Sequence, residues 1–222
     1  GGGADRLGGE LTVAITTDAV RTDSLPGAHR GRVRRLRAES RARFEELGVP
    51  SARDEEWKYT NVSRISPADL SVASAAEASG ASLPTLGLLA AHRVVLVNGR
   101  LSEDLSVDVD PDAVIVTSLA RAIEKHPDLV ETHLGTLAGR QGLPFAEWNT
   151  AEFRDGLFLF VPEGVRLHLP VHVHLVSTGA GGTVAHPRIL AVLGRGASAT
   201  VVESHSGVGG EERLTTVVSE FL

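Results

Sequence analysis

The sequence predicts a mainly β chain: the first units of a stacked β-solenoid, preceded by a small, mixed and partly helical α/β region. Three observations predict it. At an offset of 32 residues the end of the chain repeats in pattern: Leu157 to Val161 fall on Ile189 to Leu193, Gly164 on Gly196, Leu167 on Ala199, and Thr183 and Val184 on Thr215 and Thr216. Within 165–175 the apolar side chains Val165, Leu167, Leu169, Val171, Val173 and Leu175 alternate with Arg166, His168, His172 and His174, the period of a half-buried strand. Gly164, Gly179, Gly182 and Gly196 then supply turns between strands. Short strands at a fixed offset suit coils that each bury a face on the next; an antiparallel sandwich or barrel is the rival architecture.

Three segments follow in order: a flexible leader over 1–25, a mixed helical and strand domain over 26–142, and the first coils over 143–222, cut off at the C-terminus. In the second segment, 26–47 reads as a helix with Val33, Leu36, Phe44 and Leu47 on one face, stopped by Gly48 and Pro50. Arg30, Arg32, Arg34, Arg35, Arg37, Arg41 and Arg43 take the other face, read as a solvated face diluted by glutamates. Residues 71–82, rich in Ala and Ser, read as a linker. Residues 92–97 form a strand ended by the turn pair Asn98 and Gly99. Asp104, Asp108, Asp110 and Asp112 lack the glycine and terminal glutamate of a calcium loop and read as solvated. After a strand at 114–116, Ser118 caps a helix over 119–126, and Asp128 caps another to about Leu137. Residues 141–144 link this region to the repeat.

Composition narrows function. The net charge of −6 does not invite nucleic acid, and the absence of cysteine removes disulfides and thiolate ligands from this chain. No apolar run approaches the roughly 20 residues of a membrane span, so a cytoplasmic setting is expected. No methionine is present, even at position 1; with the end at Phe221 and Leu222 this is read as a fragment of a longer protein. No Gly-x-x-x-x-Gly-Lys-Ser/Thr string is present, so no ATP hydrolysis is expected.

The densest stretch holds Glu56, Trp57, Lys58, Tyr59 and Thr60, with the only tyrosine, one of two tryptophans and one of two lysines. A buried lysine can serve as base or amine nucleophile, but no nucleophile, base and orienter stand together here. The expectation is an amphipathic turn with Trp57 and Tyr59 as packing anchors and wet charges. Loss of a buried Trp57 ring would then cost about 3–5 kcal/mol.

This string resembles the SufD proteins of the SufB/SufD family of iron–sulfur cluster assembly proteins. The resemblance continues at Asn98 and Gly99, Ser118 and Leu119, His133 to Gly135, Asn149 to Ala151, Asp155 and Gly156, and Val161 to Gly164. It covers about 34–222; Trp148 departs from it, where an aliphatic residue such as leucine is expected before Asn149. The family motif residues, taken as structural, are Glu56, Trp57, Lys58, Tyr59, Thr60, Asn98, Gly99, Asn149, Asp155, Gly156 and Gly164. The resemblance implies a right-handed parallel β-helix after a mixed N-terminal domain. It also implies a non-enzymatic scaffold subunit that pairs with a SufB-like paralogue and a SufC-like ATPase. An iron–sulfur cluster is implied for the whole complex, with no cofactor held by this stretch. The family's ATPase-docking segment and cluster-forming histidine are expected beyond Leu222.

The competing chemical reading rests on His168, His172 and His174 on one strand face, with His186 and His205 near in sequence. His172 and His174 resemble the first ligand pair of cupins, but 175–180 supply no glutamate to continue that pattern. Exposed histidines are expected instead, with no tight divalent metal site. A cupin-like metal enzyme is the alternative function, and nucleic-acid binding through Arg30 to Arg43 a distant one. An uncapped solenoid end at 217–222 is expected to self-associate.

Overall fold

A computed structural model describes residues 24–74, 90–106, 114–138 and 142–222. The leader up to residue 23, most of the 71–82 linker, Asp108, Asp110 and Asp112, and Gln141 lie outside the described residues. The first helix, α1 (Gly31–Leu47), starts later than its pattern suggested and stops where expected: Gly48 turns at φ 67 and donates its N–H to Phe44 O at 2.8 Å. Strand β1 (Ser71–Val72) follows, then β2 (His92–Val97) and β3 (Arg100–Leu101), joined by Asn98 at φ 48 and Gly99 at φ 79, the left-handed pair of a tight hairpin turn. After β4 (Ile115–Ser118), the Ser118 hydroxyl accepts the Arg121 N–H and caps α2 (Leu119–Lys125). Helix α3 (Pro127–His133) begins with Pro127 in its first turn; Asp128 lies inside that turn and is not its cap.

Helix α4 (Pro144–Glu152) leads into the repeat: β5 (Gly156–Val161), β6 (Val171–Ser177), β7 (Thr183–Ala185), β8 (Arg188–Leu193), β9 (Val201–Gly207), β10 (Arg213–Thr215) and β11 (Val218–Phe221). The copies do pair, and in parallel. Leu157 lies beside Ile189, the predicted offset, but Val171 lies beside Val201, Thr183 beside Arg213 and Ile189 beside Ser219. The offset shortens by two because the first copy carries a two-residue excursion. Arg166 bridges Ser198, yet Val171 already donates to Thr200 O. The excursion breaks the predicted alternation: Leu169 is exposed, and His168 is outside β6.

The right-handed parallel β-helix is not what forms. Among the described residues four helices flank three sheets, ordered β1-β7-β10, β11-β8-β5-β4 and β3-β2-β6-β9, and no closed solenoid results. The physical reason lies in the N-terminal region. Its strands occupy one side of the repeat: β4 runs antiparallel on β5, β2 runs parallel on β6, and β3 turns back antiparallel on β2. The antiparallel sandwich fares no better, since the repeat strands pair in parallel.

Two apolar layers hold the unit together. Val94, Leu96, Leu159, Val173, Leu175 and Ile189 meet between the sheets. On the far side of β5 and β8, Phe158 and Leu190 pack against Val33, Leu119, Ile123 and Leu134 of the helical region. With both faces covered, β5 is nearly all apolar, as a doubly buried strand must be. A third cluster stacks Phe44 of α1 on Trp148 of α4, with ring centroids 5.1 Å apart. Trp148, the departure from the family pattern, is thus a packing residue.

Candidate functional site

The family motif residues separate into a buried set and a surface set. In the buried set, the Asn149 amide donates to Pro187 O and Thr216 O, both at 2.8 Å, and its Oδ1 accepts from Arg188. One side chain on α4 therefore ties the starts of β8 and β11 to the helix. The Asp155 carboxylate accepts the N–H of Ala120 at 3.0 Å and of Leu101 at 3.2 Å. Burial pushes the Asp155 pKa up, and the N–H groups of Ala120, Gly156 and Leu101 pull against that shift. Gly156 is required by space: a Cβ there would stand 1.7 Å from Arg188 O. Asn98 donates to Ser74 O and Thr178 O and accepts the Thr178 N–H. Gly164 turns at φ 75. The three polar residues hold backbone, and the two glycines permit its turn or close approach.

Arg188, absent from the sequence reading, is the centre of this network. It is 0% exposed, donates to Glu220 at 2.5 Å and to Thr150 Oγ1 at 2.8 Å, and lies under α4. Glu220 also accepts the N–H groups of Gly135, Leu137 and Ala138. Burial alone would raise the Glu220 pKa; the Arg188 guanidinium and those N–H groups more than offset it and hold the carboxyl below its ordinary value. The sequence carries only a faint signal for this pair: an Arg and a Glu 32 residues apart, each followed by apolar residues.

The arginine face of α1 is corrected in the same way. Arg37 is buried; it donates to Ala151 O, Phe153 O and Pro26 O, and its guanidinium lies 3.6 Å from the Phe153 ring centre. Arg41 pairs with Glu152 at 2.6 Å and Arg43 with Glu147 at 2.9 Å. Three of the seven arginines therefore join α1 to α4, while Arg32, Arg34 and Arg35 stay exposed as expected of a solvated face; the basic face is smaller than its sequence suggests, which does not favour a nucleic-acid interface.

His172 and His174 are also corrected: they are buried. Their rings stack at 5.7 Å, and their Nε2 atoms bond Ser204 Oγ at 2.7 Å and Ser206 Oγ at 2.8 Å. Burial, then the charge of Arg93, holds the His172 pKa below its ordinary value; for His174 burial comes first, followed by His172, Arg93 and His205. His168 stands apart in the excursion. Among the described residues no group of three or more His, Cys, Asp or Glu could hold a metal ion, so the cupin-like reading is not favoured. Calorimetric titration with zinc is expected to show only weak binding. A stoichiometric site removed by His172→Ala would reverse that.

The surface set surrounds a groove. Glu55–Trp57 forms a single helical turn in which Trp57 is half-buried, its ring edge-on to Phe145 at 5.2 Å. Tyr59 is 92% exposed, with the Lys58 ammonium 5.6 Å from its ring centre. Tyr59 is therefore no packing anchor. Tyr59→Ala is expected to leave stability within about 0.5 kcal/mol of the parent in urea titration. Half-buried Trp57→Ala should cost about 1–2 kcal/mol, less than a fully buried ring. A loss above about 2 kcal/mol from Tyr59→Ala would contradict its exposure.

These features define a helix-flanked unit of mixed sheets whose buried motif residues Asn98, Asn149 and Asp155 fix backbone. The family model of the SufBD protein N-terminal region matches residues 22–173, and the chain belongs to the SufBD family. It is similar to two iron–sulfur cluster assembly SufBD family proteins of Synechocystis sp. One is 27% identical over 166 residues, covering 73% of this chain and 36% of the relative; the other is 35% identical over 92 residues, covering 41% and 19%. A chloroplastic SufBD family protein of Arabidopsis thaliana is 25% identical over 192 residues, covering 78% of this chain and 29% of its own. The chain thus spans about a third or less of the length of these relatives.

Proposed function

We propose that this chain is part of a SufD-like scaffold subunit that joins a SufB-like paralogue and a SufC-like ATPase to assemble iron–sulfur clusters, without catalysis of its own. The observation that carries this reading is the family match over residues 22–173, within which Asn98, Asn149 and Asp155 of the family pattern hold backbone and Gly156 leaves room for its close approach. A scaffold needs such rigidity, since partner surfaces must be presented without ordering cost. The cluster is cargo of the complex in this reading. With no cysteine here, thiolate ligands for it come from other chains or other parts of the protein. No helix among the described residues is long and apolar enough to cross a membrane, and the cytoplasm is the proposed setting.

Co-expression of the full natural gene product with the SufB-like and SufC-like proteins of the same genome tests this. Co-purification of all three at fixed stoichiometry is expected, and deletion should lower the activity of iron–sulfur enzymes. Failure to associate with either partner would overturn the scaffold reading. A product that replaced the SufB-like subunit, rather than joining it, would overturn its SufD side.

A further inference from the structure

A small polar cavity lies where the turn between β2 and β3, the end of α4 and the end of β7 meet. It holds about 10 Å³, with Asn98, Gly99, Arg100, Glu152, Arg154 and His186 in its lining. That is room for about one oxygen atom. Its charges do not balance. Arg41, Arg43 and Arg188 each have a carboxylate, from Glu152, Glu147 and Glu220. Arg100 and Arg154 form no ion pair among the described residues. The carboxylate in the lining, Glu152, is already held by Arg41 at 2.6 Å. Asn98 is committed as well, to the backbone of Ser74 and Thr178. Arg154 is half-buried, and its Nε reaches neither an acceptor nor solvent. Burial, then the charge of Arg100, lowers the Arg154 pKa, and Glu152 restores only part of it. Two half-buried guanidinium groups on one small cavity, with no carboxylate of their own, are a donor set for an oxyanion, since each presents a planar fork of N–H groups.

We propose that Arg100 and Arg154 form a binding site for an oxyanion group, a phosphate or a carboxylate, seated at the mouth of this cavity. One oxygen reaches in, and both guanidinium groups donate to the anion. The same chemistry comes free in solution or on an acidic side chain of another protein. The net charge of −6 repels anions from the chain as a whole, so any capture must be local. The site lies between Asn98 and His186, and it does not depend on the scaffold reading.

The probes are inorganic phosphate and a capped Gly-Asp-Gly peptide, each titrated calorimetrically into the full natural gene product at fixed ionic strength, with chloride as the balancing anion. Saturable binding of at least one probe is expected. Arg100→Met and Arg154→Met should each weaken it about tenfold, the effect of losing one charge-assisted hydrogen-bonding partner. Arg154→Lys, which keeps the charge without the fork, should fall between. Arg64→Met, at an exposed arginine beside Glu212, should change nothing. Hydrogen–deuterium exchange gives a readout that needs no variant: the bound probe should slow exchange in residues 97–101 and 152–156. Tighter binding of phosphate assigns the site to a free anion, and tighter binding of the peptide to an acidic side chain of a partner. Four results overturn the proposal: no saturable binding, unchanged binding in either Met variant, equal weakening by Arg64→Met, or protection confined to other segments.

Discussion

Glu220→Ala will destabilise the chain by about 3–5 kcal/mol, the scale for removing one partner of a buried ion pair. The substitution strands the Arg188 guanidinium at 0% exposure with Thr150 and Asn149 as its remaining acceptors. It also frees the N–H groups of Gly135, Leu137 and Ala138, which converge on the same carboxylate. A buried donor without an acceptor bears the full desolvation penalty. These contacts and Leu222 tie β11 to the helical region, so the loss should appear as global unfolding in urea, with an unchanged slope. The double substitution Arg188→Met with Glu220→Leu is expected to lose less than the two single changes summed, since it removes the stranded charge with its partner. A loss below about 1 kcal/mol for Glu220→Ala would show that water reaches Arg188. The pH dependence has a definite sign. The folded carboxyl titrates below its ordinary value, so its contribution is complete above the unfolded value and disappears as pH falls through the folded one.

Legibility in the sequence followed locality. The end of α1 at Gly48, the Asn98–Gly99 turn and the Ser118 cap were readable because each depends on one or two neighbours in the chain. The pairing of Leu157 with Ile189 was readable because strands of equal pattern stack. The solenoid was over-read: nothing in the repeat announces that β2 and β4, arriving from the N-terminal region, take its free side. His168 groups with His172 and His174 by alternation, which the two-residue excursion preserves at Leu167 and Val171, both in one core; the excursion leaves His168 exposed outside the paired strand. Arg37 and Arg188 were misjudged or missed because burial of a charge is decided by distant partners, here Ala151 and Phe153 for one and Glu220 for the other. Tyr59 shows the reverse error. Its aromatic ring suggests the core by type, although it projects from a surface turn. The candidate site suffers most from this rule, since its groove joins residues 56–60 to 214–218 and no local pattern connects them.

Acid will unfold the chain earlier than its carboxylates alone require, and His186 is the reason. The His186 imidazole is 6% exposed, shares a hydrogen bond of 2.7 Å with Thr216 Oγ1 and lies 5.0 Å from the Trp148 ring centre. Burial, then the charge of Arg154, lowers its pKa from 6.5 to about 3. In the unfolded chain the same imidazole takes a proton near its ordinary value. Below that value the unfolded state binds a proton the folded state refuses, so stability falls with pH by about 1.4 kcal/mol per unit. The fall continues until the folded pKa is reached. Over the two units below pH 6.5 the loss from this residue should be about 3 kcal/mol. The depressed His172 and His174 add in the same direction, whereas Glu220 contributes only at more acid pH and Asp155, with its raised value, works against acid unfolding. His186→Gln keeps a polar partner for Thr216 and removes the titration. It should cost stability at pH 7.5, yet flatten the profile between pH 6.5 and 4.5 by about 1.4 kcal/mol per unit relative to the parent. Urea unfolding at half-unit pH steps measures both. Parallel profiles for parent and variant would mean that His186 is protonated as readily folded as unfolded, and would place water beside Trp148 where the packing leaves it none.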